Sequence, residues 1–315
     1  MKFLPDYSDV EKAHQTIQKY AHRTPVLTSS AINKIVNSNL FFKCENFQKV
    51  GAFKFRGATN AVFSLPDEKA KKGVATHSSG NHAAALALAA KMRDIPAYIV
   101  MPENSPEIKK KAVVGYGAEI TFCQPNLQAR ESTLKKVVEK TGATEIHPYN
   151  NFYVIAGQGT AAKELVEDEG GLDLIITPVG GGGLLSGTAI SSKLLLPECK
   201  VIAAEPAGAD DAYRSFKAHQ LIPSENPKTI ADGLLTSLGE RNFAIISEKV
   251  DDIVTVSEEN IMEAMRLIWE RMKLIIEPSS AVPLAAILEG KIGVQYKKVG
   301  IILSGGNLDL GKLPF

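Results

Sequence analysis

The chain has 315 residues, of which 44% are hydrophobic and 23% are charged, a composition typical of a globular protein with a sizeable core. Its 36 basic and 35 acidic side chains leave a formal charge of +1, so charge gives no reason to expect a nucleic acid or an acidic membrane as a partner. Three widely separated cysteines, and no apolar run of the about 20 residues that cross a bilayer, indicate a protein of the reducing cytoplasm.

Short apolar segments alternate along the chain with amphipathic helical patterns. Several segments are apolar at consecutive positions, as strands covered on both faces are, and the alternation predicts an α/β fold with open parallel sheets flanked by helices. Asn81 and Ser257 are suitable N-caps for two of the helices. We predict strands at 41–45, 74–77, 97–101, 119–123, 174–179, 200–205, 253–256 and 299–303, and helices at about 81–93, 106–115, 127–141, 157–169, 184–195, 209–219, 257–273 and 279–290.

Lys54 lies between two phenylalanines in the segment 50–57, VGAFKFRG, which follows the first predicted strand. Ligands in sheets of this kind bind beyond the carboxyl ends of the strands. If Lys54 is buried there, its pKa falls because desolvation disfavours the ammonium ion, and such a lysine can attack an aldehyde as a nucleophile. The segment alone favours the plainer interpretation, a lysine whose stem packs on apolar neighbours and whose amine is solvated.

The segment 76–82, THSSGNH, lies between a predicted strand and an alanine-rich helix. The first N–H groups of a helix lack partners inside it, and the hydroxyl, amide and imidazole groups of this segment add further donors. Such a cluster can bind the carboxylate of a small substrate, although it also fits an elaborate N-cap.

Four consecutive glycines, 180–183, join the predicted strand 174–179 to a helix. Ordering four glycines costs considerable chain entropy, so this position must require backbone without side chains. Consecutive N–H groups at a helix N-terminus form a nest for an anion such as phosphate. Neither the G-x-G-x-x-G spacing of a dinucleotide site nor a following Gly-Lys-Ser/Thr is present, which favours a single small phosphate.

Two later strand ends carry weaker signals. The segment 205–211, EPAGADD, offers two carboxylates and a backbone carbonyl that fit a hard cation completed by water, or else a solvated acidic turn. The segment 303–307, LSGGN, places a hydroxyl and flexible backbone after the last strand, and on its own an ordinary turn explains it.

Taken together, the motifs GAFKFRG, HSSGNH, VGGGGLLSG, AEPAGADD and LSGGN resemble those of the fold-type II enzymes that depend on pyridoxal 5′-phosphate (PLP). Within that family the chain is similar to the serine racemase and serine/threonine dehydratase branch, and TPVLTSS, CENFQK, AGQGT, TIADG and WERMK make it most similar to eukaryotic-type serine racemases. The resemblance implies a two-domain fold like that of the tryptophan synthase β-subunit. Residues 1–72 and 152–315 would form a large PLP-binding domain, and residues 73–151 a small substrate-gripping domain.

The resemblance also implies roles for individual residues at a PLP site. Lys54 would carry the cofactor, with Phe53 against its ring, Asn81 at its 3′-oxygen and Ser304 at its ring nitrogen. Backbone N–H groups would hold the phosphate at Gly180, Gly181, Gly182, Gly183 and Leu184. The substrate would be bound by Ser78, Ser79, Asn81 and His82, with looser matches at Arg130 and Ser237.

The activity that this resemblance implies is conversion of L-serine to D-serine and to pyruvate plus ammonia. Lys54 would take up the α-proton as a general base, and a hydroxyl at Ser304 would leave the ring nitrogen unprotonated, which favours loss of the β-hydroxyl. Many relatives that act only as dehydratases have alanine where this chain has Ser79. A hydroxyl there would return a proton on the face opposite Lys54 and so give racemisation.

Further partners follow from the resemblance alone. Glu205, the carbonyl of Ala209 and Asp211 would bind Mg²⁺ or Ca²⁺, and the default assembly would be a homodimer that acts in amino-acid metabolism. Some relatives bind ATP at a subunit interface as an activator, but Val50 stands where close relatives have a threonine, which removes a side-chain donor. The residues that match the ATP pattern are Ser29, Ser30, Lys49 and Tyr116.

Three alternatives stay open. The first is a dehydratase of L-threonine or threo-3-hydroxyaspartate with little racemisation, in which Arg130 and His77 serve a second carboxylate; pocket shape decides between these substrates. The second is a nicotinamide-dependent oxidoreductase, which would need the missing dinucleotide spacing. The third is a binding protein that kept the fold without the chemistry and would have no covalent cofactor at Lys54.

Overall fold

The computed structural model describes residues 3–78, 80–105, 107–295, 297–311 and 313–315. Within them the strands are β1 (Val26–Leu27), β2 (Asn39–Cys44), β3 (Val74–His77), β4 (Ala97–Pro102), β5 (Glu119–Cys123), β6 (Thr144–Glu145), β7 (Leu174–Pro178), β8 (Lys200–Pro206), β9 (Asp252–Val256) and β10 (Lys298–Leu303). The α-helices are α1 (Tyr7–Ile17), α2 (Ser30–Val36), α3 (Lys54–Phe63), α4 (Asp67–Ala70), α5 (Asn81–Arg93), α6 (Glu107–Gly115), α7 (Leu127–Thr141), α8 (Phe152–Glu169), α9 (Gly183–Leu195), α10 (Asp211–Ala218), α11 (Glu240–Lys249), α12 (Glu258–Met272) and α13 (Pro278–Leu288).

The larger sheet has the strand order β1-β2-β10-β7-β8-β9. Its strands are parallel apart from β1, which pairs antiparallel with β2. In the register of the sheet, Leu303 lies beside Cys44 and Pro178 lies beside Ala204. The segments that follow β2, β7, β8 and β10 therefore start at one edge of the sheet, which is the edge where a ligand is expected.

Apolar side chains cover both faces of this sheet. Phe42 of β2 and Ile301 of β10 pack in one cluster with Met265 of α12, whereas Ile175 and Ile302 belong to a cluster that includes residues of α8. Burial on both faces explains why these strands are apolar at consecutive positions instead of alternating.

The smaller sheet has the strand order β5-β4-β3-β6, and all of its strands are parallel. Leu86 of α5 packs with Ile99 of β4 in one cluster, and Leu134 of α7 packs with Val100 in another, so helices flank both faces. The predicted α/β fold with open parallel sheets flanked by helices is confirmed. The two sheets come from separate stretches of chain, while the domain limits at 72/73 and 151/152 stay a prediction.

Helix α8 lies between α3 and α9, with glycines at both crossings. A Cβ atom on Gly157 would lie 2.6 Å from the Cα of Gly57, and a Cβ atom on Gly187 would lie 2.4 Å from the backbone nitrogen of Gly159. Only glycine lets these helices approach so closely. Because α8 also packs on the larger sheet, this contact fixes α3, whose first residue is Lys54, in relation to that sheet.

The predicted strands are all present, with ends that differ by at most two residues, and the two-residue strands β1 and β6 are additional. Helix α8 starts earlier than expected because Asn151 caps it by accepting hydrogen bonds from the N–H groups of Tyr153 and Val154. Ser257 is confirmed as an N-cap, but the prediction for Asn81 is wrong: Gly80 is the N-cap and Asn81 is the first helical residue. The unpredicted helices are α1, α2, α3, α4 and α11. Among the helices described, none is both long and apolar enough to cross a bilayer.

Candidate active site

Lys54 stands at the start of α3, close to the carboxyl edge of the larger sheet. Its Nζ donates a hydrogen bond to the carbonyl oxygen of Pro148 at 3.0 Å and lies 5.0 Å from the ring centroid of Phe53. The ring centroid of Tyr149 is 6.0 Å from the same atom. The amine is therefore surrounded by aromatic and backbone groups.

Burial lowers the pKa of Lys54 to about 8, although the nearby carboxylate of Glu277 opposes the shift. An ordinary lysine has a pKa of about 10.4, so Lys54 has far more of its neutral form near neutral pH than a surface lysine has. The neutral amine is the form that attacks an aldehyde. The environment supports the interpretation of Lys54 as a nucleophile over that of a solvated lysine.

We expect the reaction of cofactor-free protein with an aldehyde to follow this lowered pKa. Because the neutral amine predominates above about pH 8, the rate should rise from about pH 7 to about pH 9 and then level off. Rapid mixing of the cofactor-free protein with PLP, followed by visible absorbance over a pH series, measures this rate. A rate that still rises about tenfold for each pH unit beyond about pH 9 would show that Lys54 has an ordinary pKa.

The four glycines form the turn between β7 and α9. A Cβ atom on Gly181 would lie 2.4 Å from the ring of Tyr149, and one on Gly180 would lie 2.9 Å from the Cα of Leu234. Gly182 has a φ of +89°, a conformation that favours glycine. Among the described residues no side chain caps this helix start, and its first N–H groups have no partner within the helix. The turn therefore offers backbone donors in the arrangement that binds a phosphate.

Ser304 follows β10 and contacts the Lys54 segment directly. Its carbonyl oxygen accepts a hydrogen bond from the N–H of Phe53 at 3.0 Å, and its buried hydroxyl is 3.0 Å from the hydroxyl of Ser280. An isolated β-bridge joins Ala52 to Gly305. The turn that looked ordinary in the sequence thus lies against the segment that carries the candidate nucleophile.

The segment between β3 and α5 is the loop that the sequence analysis expects to bind a substrate carboxylate. The hydroxyl of Ser78 accepts a hydrogen bond from the N–H of Gly80 at 3.4 Å. Nε2 of His82 is 3.2 Å from the carbonyl oxygen of Ile146, and burial lowers the pKa of His82 to about 3, so its ring is neutral. Ser79, the predicted second catalytic residue, lies outside the described residues.

Arg130, on α7, approaches this loop from the smaller sheet. Its Nε is buried without a hydrogen-bond partner among the described residues. Burial, together with the charge of Arg130, lowers the pKa of His77. The rings of His77 and His147 meet edge to face at 6.1 Å, and those of His147 and Tyr149 at 4.5 Å. A row of side chains therefore runs from Arg130 toward Lys54.

Ser237 and its neighbour Thr236 differ in what they contact. The hydroxyl of Ser237 accepts a hydrogen bond from the N–H of Ser224 at 2.9 Å, whereas the side chain of Thr236 is hydrogen-bonded to Tyr149. Burial raises the pKa of Tyr149 to about 12, so its phenol stays protonated. These contacts connect Thr236, rather than Ser237, to the groups around Lys54.

Glu205 and Asp211 are both buried at the carboxyl edge of the larger sheet. Glu205 accepts hydrogen bonds from the N–H groups of Ala212 at 3.1 Å and Tyr213 at 2.8 Å. One oxygen of Asp211 accepts from the N–H of Leu238 at 2.9 Å, and the other is buried with no partner among the described residues. Burial raises the pKa of Glu205 to about 9 and that of Asp211 to about 6.

The donor set at this position is small but suits a hard cation. Within the described ranges, no cluster of three or more His, Cys, Asp or Glu side chains could hold a metal ion. A cation would rely on two carboxylates, the carbonyl of the buried Ala209 and water. The unpartnered oxygen of Asp211 fits a bound cation, because a buried carboxylate oxygen without a partner is costly.

A cavity of about 560 Å³ lies beside the Lys54 segment and is lined in part by Val50 and Tyr116. Val50 has a φ of +57°, a strained conformation for a β-branched residue. Among the four predicted nucleotide contacts, Tyr116 is the one that lines this cavity in the described chain. The hydroxyl of Ser29 caps α2, and Ser30 is exposed on the same helix.

Three side chains near Lys54 had no role in the sequence analysis: Tyr149, Thr236 and Glu277. Glu277 is buried and accepts hydrogen bonds from Asn81. They come from three distant parts of the chain, and their segments carry no motif of their own. Two motifs of the sequence analysis lie near these side chains. The glycine turn contacts Tyr149 in the fold, and the segment 229–233 precedes Thr236 in the sequence.

The residues present fit PLP. The aldehyde needs an amine with a lowered pKa, which Lys54 supplies, and the phosphate needs the backbone donors of the turn 180–183. Phe53 offers a ring beside the amine, and the buried hydroxyl of Ser304 offers a neutral partner for a ring nitrogen.

Comparison with known proteins agrees with this fit. Residues 17–305 match the family described as pyridoxal-phosphate dependent enzyme, and the chain therefore belongs to that family. The β-hydroxyaspartate dehydratase of Paracoccus denitrificans (strain Pd 1222) is 52% identical over 313 residues, which cover 99% of this chain and 99% of that protein. The serine racemase of Dictyostelium discoideum is 55% identical over 310 residues, which cover 97% of this chain and 95% of that protein. The solved structure of maize serine racemase is 47% identical and superposes with a TM-score of 0.96, covering 98% of this chain and 95% of that one.

The family confirms three predictions made from the sequence: the fold-type II architecture, dependence on PLP and an enzymatic role. It speaks against the nicotinamide-dependent oxidoreductase and against a binding protein without chemistry. The relatives include both racemases and a dehydratase, so they are compatible with the main functional prediction and with its hydroxyaspartate alternative.

Proposed function

We propose that the chain converts L-serine to D-serine and to pyruvate with ammonia, using PLP carried on Lys54. The observation that carries this proposal is the partly buried amine of Lys54, with its pKa lowered to about 8, close to the ring that overlies the glycine turn. When bound, PLP supplies an electron sink for bond cleavage at the substrate α-carbon. Serine as substrate is supported by a serine racemase that is 55% identical to this chain.

Different groups of the chain are proposed to take up the α-proton, bind the phosphate and contact the ring nitrogen. The Lys54 amine takes up the α-proton, and its hydrogen bond to the carbonyl of Pro148 orients Nζ beforehand. The N–H groups of the turn 180–183 hold the phosphate. The hydroxyl of Ser304, paired with that of Ser280, presents a neutral group to the ring nitrogen. A nitrogen that stays unprotonated favours prompt loss of the β-hydroxyl, which yields pyruvate and ammonia.

Ser79 is proposed as the group that returns a proton on the face opposite Lys54. The Ser79→Ala variant should lose D-serine formation by at least about 100-fold, which is the lower range for removing a positioned acid or base. Elimination of L-serine to pyruvate should persist, because that reaction needs only Lys54 for proton removal. Chiral chromatography of the amino acid and a coupled assay for pyruvate measure the two products from one sample.

Ser132 on α7 provides a matched control, because its hydroxyl is exposed and donates to the carbonyl of Ala129 in the same helix turn. The Ser132→Ala variant should keep both products at the level of the unmodified protein. If Ser79→Ala still formed D-serine at the original rate, Ser79 would have no part in racemisation.

A second candidate is dehydration of threo-3-hydroxyaspartate. The buried Nε of Arg130, unpartnered among the described residues, favours this candidate because a second carboxylate would satisfy it. His77 lies close enough to be influenced by the same charge. A relative named β-hydroxyaspartate dehydratase, 52% identical over 99% of this chain, supports the same substrate class.

Turnover on serine, threonine and threo-3-hydroxyaspartate separates these candidates. If Arg130 binds a second carboxylate, Arg130→Leu should lower kcat/KM for threo-3-hydroxyaspartate by about 10- to 100-fold and change serine turnover little, since a charge-assisted hydrogen bond is lost only with the diacid. Equal losses on both substrates would place Arg130 at a group that they share and would count against the hydroxyaspartate candidate.

We also propose a Mg²⁺ or Ca²⁺ ion at Glu205, Asp211 and the carbonyl of Ala209. The support is the pair of buried carboxylates with one unpartnered oxygen. Adding a chelator should lower the melting temperature, and adding either cation should restore it, because an ion that binds only the folded chain stabilises it. A melting temperature that changes neither with the chelator nor with the added cation would rule out this site.

The remaining proposals concern location and assembly. Three buried free cysteines, Cys44, Cys123 and Cys199, support the reducing cytoplasm. The two separate sheets support a large domain of residues 1–72 and 152–315 and a small domain of residues 73–151. A homodimer and activation by ATP follow from the family resemblance alone, and sedimentation and turnover with added ATP test them.

A further inference from the structure

Glu277 is a buried carboxylate next to the proposed cofactor site, with a relative exposure of 4%. It is the N-cap of α13, and its backbone N–H donates to the carbonyl oxygen of Gly305 at 3.0 Å. Its side chain therefore lies beside the turn that follows Ser304. Lys54 is close enough for the two charges to influence each other.

The side chain of Asn81 is held from both ends. Its Nδ2 donates to the two carboxylate oxygens of Glu277, at 3.0 and 3.1 Å. Its Oδ1 accepts from Nδ2 of Asn307 at 3.0 Å, and the same nitrogen of Asn307 donates to the carbonyl oxygen of Val50 at 2.7 Å. An amide nitrogen has two N–H groups, and one carboxylate approaches from one side, so the second N–H of Asn81 is left for another acceptor.

Glu277 forms no ion pair with a basic side chain among the described residues. Lys109 is paired with Asp232 at 2.6 Å, and burial together with the charge of Asp232 raises the pKa of Glu277 to about 7. A buried carboxylate in such a place is costly unless its hydrogen bonds are needed. The groups held by these bonds are the side-chain amide of Asn81 and the backbone N–H of Asn307.

We propose that Glu277 is a positioning residue that, together with Asn307, orients the Asn81 amide so that its free N–H faces the 3′-oxygen of the bound cofactor. This inference rests on the proposed function, and in particular on the contact between Asn81 and the cofactor. When ionised, the Glu277 carboxylate can only accept hydrogen bonds, so it holds the amide in one orientation and excludes the flipped amide. Glutamine at the same position could donate as well as accept and would permit both orientations.

A merely structural role for Glu277 predicts something different. In that case its carboxylate would only join α5 to the turn 304–307, and its loss would lower stability without changing the spectrum of the cofactor. The positioning role predicts that the visible absorption of the holoenzyme and its affinity for PLP change, and that they change only through Asn81.

The test is a double-mutant cycle on the holoenzyme with Glu277→Gln, Asn81→Ala and the double variant. Glu277→Gln should shift the visible band, or the pH at which it changes, in the same direction as Asn81→Ala, and should weaken PLP binding about tenfold, the effect of one lost hydrogen bond to a charged group. The double variant should be no weaker than Asn81→Ala, because both changes remove one contact. Glu289→Gln is the matched control, a half-buried carboxylate that accepts from the N–H of Ser257 away from the site.

Asn307→Ala reaches the same amide from its other end, and it serves if Glu277→Gln does not fold. Asn307→Ala should also shift the visible band, and combining it with Asn81→Ala should give no larger effect than Asn81→Ala alone. Additive effects, or an unchanged band in Glu277→Gln and Asn307→Ala while Asn81→Ala is altered, would overturn the inference and leave the proposed function intact. A wild-type protein that forms no visible band with PLP would instead overturn the proposed function itself.

Discussion

The Lys54→Ala variant should bind PLP without a covalent bond and should lose about 10³- to 10⁴-fold of its turnover on serine, the upper range for removing a positioned base. The reason lies in the amine itself, whose Nζ is held by the carbonyl of Pro148 and whose pKa is lowered to about 8. Borohydride treatment followed by mass spectrometry locates the attached cofactor, and pyruvate release measures turnover.

Lys71→Ala is the control for this experiment, because Lys71 is exposed at the end of α4, away from the site. It should keep the reducible cofactor and full turnover. A Lys54→Ala protein that still carried a borohydride-trapped cofactor would assign the attachment to another lysine, and the proposed roles of the groups around Lys54 would fail with it.

The strands were predictable because a strand that is buried on both faces needs apolar residues at consecutive positions, and the sequence shows this pattern. Helix α3 was not, although it begins at Lys54. Its residues are buried on nearly every side, and it contains Gly57, so neither an amphipathic pattern nor a favourable propensity marks it. The glycine is explained only by the packing of α8, because a Cβ atom on Gly57 would lie 2.7 Å from the carbonyl oxygen of Val154 in that helix.

The candidate site likewise contains some residues that the sequence predicted and others that it did not. The turn 180–183 was predictable because it has a local requirement, backbone without side chains. Lys54 was singled out by its apolar neighbours, but its segment alone favoured a solvated lysine, and its role was implied only by the family resemblance. Glu277 and Thr236 were not predictable, since their roles come from contacts with Asn81 and Tyr149, which lie far away in the sequence. Thr236 and Ser237 lie in an irregular loop, which has no periodic pattern that predicts the direction of a side chain. Which of the two hydroxyls faces the site therefore follows only from the fold.

Arg56, two residues beyond the nucleophile, is fully buried and joins two carboxylates. Its Nε donates to Glu45 at 2.7 Å, and its Nη1 and Nη2 donate to Glu164, each at 2.7 Å. Lys43 contributes a further ion pair to Glu164 at 2.8 Å. Burial alone would raise the pKa of Glu164, but Arg56 and Lys43 outweigh it and the pKa is lowered. The network therefore needs its arginine as the ion-pair partner that Glu45 and Glu164 share in the interior.

The Arg56→Met variant should accordingly lose about 3–5 kcal/mol of unfolding free energy, because removing one partner leaves buried charge uncompensated. Since the pKa of Glu164 is lowered by folding, its contribution is complete above the ordinary carboxyl pKa and is lost as the pH falls through the lowered value. The difference between variant and unmodified protein should therefore be largest near neutral pH and shrink in acid. Denaturant unfolding at neutral pH and at about pH 4 measures it. Arg23→Met, which breaks half-exposed pairs with Glu167 and Asp168, should cost at most about 1 kcal/mol. Equal losses in the two variants would show that burial adds nothing to the Arg56 network.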